Sequence, residues 1–262
     1  MVPGRYSDAR KSLRRRPARR TLTLSAATMS SHVLIPSEFK PSELTFSTLE
    51  KNRLGGKQCF VSRAGTKSKI LLQTPPLFLP WGITPYQDVN SGAVQSWSMD
   101  LSFKGADTDP AIAEFLAKMR ALDEALVDVA TERSPEWFGK TMNRDLVAEF
   151  TRKFVRDPTN PQYAPTMKVK VPCVNGMEQT KFYDEQRQPV PMEYCTKSSQ
   201  VRVILELSPV WFLNKSVGLT WKALQVQVVS RPRVIQDFAF VDNGDETAAE
   251  VHEPEDVDET GM

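Results

Sequence analysis

The feature that most constrains this chain is a recurrent two-residue alternation of apolar and polar side chains. Trp97, Met99, Leu101 and Phe103 alternate with Ser98, Asp100, Ser102 and Lys104. Met167, Val169 and Val171 alternate with Lys168 and Lys170. Val201, Val203, Leu205 and Leu207 alternate with Arg202, Ile204 and Glu206, and Leu224, Val226 and Val228 with Gln225 and Gln227. Successive side chains of a strand point to opposite faces, so this period buries one face and leaves the other to solvent or ligand. Two further strand-like runs, QCFVS at 58–62 and KILLQT at 69–74, flank the turn-forming RAGTKS and predict a hairpin. Between Pro75 and Tyr86 the stretch PPLFLPWGITPY carries four prolines. Each lacks an N–H for a ladder, which predicts an ordered loop or an edge and not a central strand.

One segment has the helical period instead. Asp109 is a suitable N-cap, Pro110 suits the first helical position, and Ile112, Phe115, Leu116, Met119, Leu122, Leu126 and Val129 share a face, with the end expected before Pro135. A shorter helix is predicted from about Asn143 to Val155 on Leu146, Phe150 and Phe154. About three strands, a helical interlude and three strands predict a mainly β fold with a helical insertion. The expected form is an OB-fold-like antiparallel Greek-key barrel with the helix between strands 3 and 4. An open α+β sheet gives nearly the same string. There is no internal repeat.

Charge divides the chain into three parts. Residues 1–31 hold eight bases (Arg5, Arg10, Lys11, Arg14, Arg15, Arg16, Arg19, Arg20) and one acid, Asp8. Residues 242–262 hold nine acids and no Lys or Arg, leaving 26 bases and 22 acids in the body. The expected division is a basic disordered leader (1–31), an OB-like nucleic-acid-binding domain (32–241) and an acidic disordered tail (242–262). The leader has the composition of an organelle transit peptide. It reads equally as an extension upstream of Met29, or as a basic arm on nucleic acid. The tail is expected to act as a tethered polyanion that competes for a basic groove.

Several chemistries are disfavoured by residue type. Cys59, Cys173 and Cys195 form no CxxC pair and have only His32 and His252 beside them, so no metal site is expected. Three unclustered thiols suit a reducing, intracellular compartment. With His32 at its edge as the sole histidine of the folded body, a nucleophile has no obvious base, and there is no GxGxxG or GxxxxGK[ST] to cradle phosphates. No apolar run is long enough to span a bilayer. The expectation is a soluble protein that is not an enzyme and carries no cofactor.

What remains is a pairing of aromatic and basic residues on strands and loops. Unpaired bases stack on aromatic faces while Lys and Arg track the phosphates. The candidates are Trp211 and Lys215 in WFLNK, Trp221 and Lys222 in TWK, Lys181 and Tyr183 in KFY, Trp81, Tyr86, Lys168, Lys170 and Arg202. Trp221 is in phase with Gln225 and Gln227 and is expected on the exposed face. Trp97 is expected in the core and Trp137 at the end of the long helix, while Trp211 fits either setting.

The succession KILLQTPPLFLPWG, WSMDLSF, the helix opened by Asp109 and Pro110, and VRVILELSPVWFLNKSVGLTWKALQVQVV resembles a viral family. These are the single-stranded-DNA-binding-like proteins of large nucleocytoplasmic DNA viruses, and the likeness spans roughly residues 55–230. More distantly the arrangement is similar to the T7-type phage single-stranded-DNA-binding protein, an OB-fold. The resemblance implies no catalysis and a role in replication, recombination or repair through coating of exposed single strands. It points to Gln73, Phe78 and Trp81 in the early motif and to Trp211, Lys215, Trp221 and Lys222 in the late one. It implies single-stranded DNA as partner, with RNA and oligomeric state left open, and replication or recombination proteins reached through the tail. A viral chain would act where the virus replicates, in the nucleus or a cytoplasmic factory, and an organelle follows if residues 1–28 are a transit peptide. The rival reading is a virion-associated or structural protein-interaction domain.

Overall fold

The computed structural model describes Met1 and residues 32–232, apart from 89, 93 and 175. The expectations for the basic leader and for the acidic tail lie outside the described residues.

Six segments build a closed ring. They are β1 (Leu71–Gln73), β2 (Leu77–Leu79), β3 (Val94–Ser102), β4 (Thr166–Val171), β5 (Ser199–Leu207) and β6 (Trp221–Ser230). β1 and β2 are the two halves of one barrel strand, since both pair antiparallel with β5, Gln73 opposite Ile204 and Leu79 opposite Ser199. β2 meets β3 at Phe78 and Ser102, β3 runs antiparallel to β4, β4 lies parallel to β6, and β6 returns antiparallel to β5. The result is a five-stranded OB-like barrel in which one pairing is parallel. Leu72, Leu77, Met99, Leu101, Val169, Val203 and Val228 fill it without solvent access.

Four expectations need correcting. The long helix α1 (Pro110–Glu132) starts where predicted, with Asp109 accepting a hydrogen bond from the Ala111 N–H at 2.8 Å. It joins the second and third barrel strands, not the third and fourth. The count was displaced because QCFVS is no barrel strand and forms no hairpin with KILLQT. Lys57–Cys59 pairs with Glu50–Lys51 and Val210–Leu213, and Val61–Arg63 pairs with Leu44–Phe46.

The proline-rich stretch does enter the barrel, as β2. Pro75, Pro76 and Pro80 fall outside the strands, Pro85 lies on the strand Ile83–Gln87 opposite Trp97, and Thr74 repairs the ladder between β1 and β2. The Thr74 N–H donates to the Val203 carbonyl at 2.9 Å, and the Val203 N–H donates to the Thr74 hydroxyl at 3.0 Å, replacing the donors and acceptors that Pro75 and Pro76 disrupt. The shorter helix also stops early. α2 (Ser134–Phe138) is followed by α3 (Arg144–Phe150), after which the chain becomes the short strands Thr151–Arg152 and Val155–Arg156.

The connection between β5 and β6 folds as a hairpin, Val210–Leu213 with Ser216–Gly218, in a small side sheet with Thr151–Arg152, Lys57–Cys59 and Glu50–Lys51. Among the described residues no helix is long and apolar enough to cross a membrane.

Candidate nucleic-acid interface

A cleft of about 300 Å3 runs across the barrel wall at β3 and β4. Its floor is Ser96, Trp97 and Ser98 of β3 with Lys168 and Lys170 of β4. Tyr86, on the strand Ile83–Gln87 that connects the first and second barrel strands, stands at one side, and Trp211 and Thr220 of the β5–β6 connection stand at another. Arg152, Phe154 and Arg156 form a further lip. Lys170, Trp211 and Thr220 also line an adjoining stretch with Lys57 and Lys222, so the two are continuous. No carboxylate, histidine or cysteine lines either part. In OB-folds this face of strands 2 and 3, flanked by the loops joining strands 1–2 and 4–5, is the oligonucleotide surface.

Local chemistry fixes the aromatic groups. The Trp211 indole N–H donates to the Thr220 hydroxyl at 3.1 Å, across the hairpin. Trp211 pairs with Gly218, where an added Cβ would lie 2.4 Å from the ring, so the glycine is what lets the indole lie flat there. Trp97, opposite Val171 at the last rung of the β3–β4 ladder, packs against the core as expected and is half-buried, so that it also lines the cleft. Tyr86 is 61% exposed.

The cations differ in availability. Lys168 is 3.4 Å from Asp100 across the ladder, and Lys153 is 2.9 Å from Glu124. Arg152, Arg156, Lys170, Lys57 and Lys222 have no ion pair among the described residues. These partners suit a phosphate, which binds by charge and displaces counterions.

The lip that carries Arg152 and Arg156 is pinned from behind by Asp123 of α1. This carboxyl is buried and accepts the backbone N–H groups of Phe154 and Val155 at 3.1 and 3.2 Å. Burial pushes its pKa up from the ordinary 3.8 to about 7, against the opposing pull of the two N–H groups and of Lys153. Phe154 packs edge-on against Trp221, ring centroids 6.5 Å apart.

Tyr86, Lys168, Lys170, Trp211 and Lys222 therefore come together as predicted candidates. Trp221 does not. It is fully buried and also packs edge-on against Phe39. The pairing of β6 with β5 shifts register between Ile204 and Leu205, skipping Leu224, and this bulge reverses the face of everything before it. Trp221 thus shares the inner face with Val226 and Val228 although it is out of phase with them in sequence.

Gln73, Tyr183 and Arg202 gather elsewhere, in a separate depression of about 250 Å3 with Arg187, Gln225 and Gln227. Lys181 is exposed on the strand beside β6, and Trp81 is 61% exposed; neither lines the cleft. Lys215 sits at the tip of the hairpin, on another cavity. Sequence reasoning missed Lys57, Arg152, Phe154 and Arg156, and it gave Trp97 to the core without its share of the cleft. Residues 151–156 show no two-residue period, and the helical spacing of Leu146, Phe150 and Phe154 concealed the two short strands, Thr151–Arg152 and Val155–Arg156, that carry the two arginines.

Residues 106–242, just over half the chain, match the model of a family described as a family of unknown function (DUF5871). No curated protein matches the sequence. Among solved structures, the chain is similar to the single-stranded DNA-binding protein from bacteriophage Enc34 in complex with ssDNA, at 11% identity and TM-score 0.42, covering 72% of this chain and 98% of that one. It is similar also to the single-stranded DNA-binding protein encoded by bacteriophage T7, at 12% identity and TM-score 0.42, covering 65% of this chain and 97% of that one.

Proposed function

We propose, for a chain that belongs to the family of unknown function DUF5871, that it is a non-catalytic single-stranded-DNA-binding protein. The observation that carries this reading is the composition of the β3–β4 cleft: Tyr86, Trp97 and Trp211 beside Lys170, Arg152 and Arg156, with no carboxylate in its lining. Aromatic faces take unpaired bases irrespective of sequence, and the cations follow the backbone. A duplex hides its base faces, so the same cleft favours single strands. In this reading the protein coats exposed strands during replication, recombination or repair of a viral genome, at the place where that genome replicates. The barrel is the nucleic-acid-binding domain, and the acidic tail recruits replication or recombination proteins.

The test is fluorescence anisotropy with labelled single-stranded DNA, duplex DNA and RNA of equal length, titrated with salt. Single strands should bind at least about tenfold tighter than duplex, and affinity should fall steeply with salt. Equal affinity for single strand and duplex would remove the stacking argument. Binding that ignores salt would point instead to a hydrophobic protein contact on the same aromatic residues.

A further inference from the structure

A cavity of about 430 Å3 lies behind the hairpin that carries Trp211, and nothing in the cleft chemistry above uses it. Its walls are Trp137 and Phe138 of α2, Phe150 of α3 and Phe212 of the hairpin, with Met142. Phe212 and Trp137 meet edge-on with centroids 5.1 Å apart, so this wall is a fixed aromatic surface. Lys57, Lys140 and Lys215 also line it. No acid is among the lining residues, and none of the three lysines has an ion pair among the described residues.

Two features connect it to the cleft. Lys57 lines both the cavity and the stretch of groove at Lys170, Trp211 and Lys222. Trp211 and Phe212 are successive residues of one strand, so their rings serve opposite faces of the hairpin, Trp211 the groove and Phe212 the cavity. The turn adds a third. Asn214 and Lys215 form a two-residue loop between paired Leu213 and Ser216, with φ of 48° and 68°. Glycine is the unstrained choice at the second position of such a turn, where this chain has Lys215. The turn places Lys215 among the residues that line the cavity.

We propose that this cavity receives an unstacked base of the same single strand that lies in the cleft. The strand passes over Lys57 around the edge of the small sheet, and Lys140 and Lys215 hold the flanking phosphates. The volume falls within the range of about 300 to 1,000 Å3 typical of small-molecule sites. The aromatic walls and unopposed cations repeat the chemistry of the cleft, which selects a nucleotide over an apolar peptide. The inference rests on the single-strand reading of the cleft, and it makes the footprint of the strand longer than the barrel wall alone.

The experiment compares oligo(dT) chains from about 4 to about 20 nucleotides, a range that brackets the site of one OB-fold. The proteins are the full chain, a Lys140→Glu/Lys215→Glu double variant, a Phe138→Ala variant and a Lys170→Glu cleft variant, each checked for folding by circular dichroism. The cavity variants should match the wild type on the shortest chains and bind the longest about fivefold or more weakly, while the cleft variant loses affinity at every length. Wild-type affinity at all lengths in the double variant would overturn the cavity assignment and leave the cleft intact. Absence of binding by the wild type at every length would overturn both.

Discussion

Asp123 gives the pH dependence its sign. It is a carboxyl with 2% exposure on α1, and burial raises its pKa from 3.8 to about 7. The folded state therefore holds its proton across a window in which the unfolded chain has released it. A raised folded pKa stabilises fully below the unfolded value and loses that contribution as pH rises through the folded value. Stability should thus decline between pH values of about 4 and about 7 and level off above. The steepest slope is about 1.4 kcal/mol per pH unit, and a shift of roughly three units amounts to a loss of about 4 kcal/mol at most.

Asp123→Asn keeps a carbonyl to accept from Phe154 or Val155 and removes the titration. Urea denaturation of both proteins across this window should show the slope in the wild type and a much flatter profile in the variant, with the variant the more stable near pH 8. Parallel profiles, or a wild type that gains stability as pH rises through the window, would refute the assignment of the buried proton to Asp123.

Trp221→Ala should destabilise the fold by about 3 to 5 kcal/mol, because it empties a fully buried site and removes the edge contacts to Phe39 and Phe154; a shift in the urea midpoint reads it. Trp211→Ala should instead leave the fold intact, at a smaller stability cost than Trp221→Ala, and weaken single-strand binding by about 1 to 3 kcal/mol by anisotropy. Lys170→Ala and Arg152→Ala should each reduce the slope of log affinity against log salt by about 0.7, whereas Lys168→Ala should change it less because Asp100 already opposes that charge.

The barrel was legible because its inward residues are in strict phase. Met99, Leu101, Val169 and Val203 are where alternation puts them, and the Asp109–Pro110 start of α1 follows from capping chemistry. Three things were hidden because they depend on distant parts of the chain. The prolines around β2 are tolerated only because Thr74 reaches Val203, 129 residues away. The face of Trp221 turns on a bulge at Leu224 imposed by the register with β5. The lip of the cleft is set by a buried carboxyl 31 and 32 residues before the N–H groups it holds. Of the candidate site residues, Lys168 and Lys170 of β4, Trp211 of the hairpin, Tyr86 and Lys222 converged, whereas Lys215 at the hairpin tip faces another cavity. Gln73, Tyr183 and Arg202 did not converge, since their position depends on which strands close the ring.

The most direct test of the cleft is its contact map. A single strand carrying photoreactive iodouracil, cross-linked to the full protein and mapped by mass spectrometry, should label Tyr86, Trp97 and Trp211, residues that border one cleft from three separate segments of sequence. Labelling confined to the depression at Tyr183, with those three unmodified, would contradict the account.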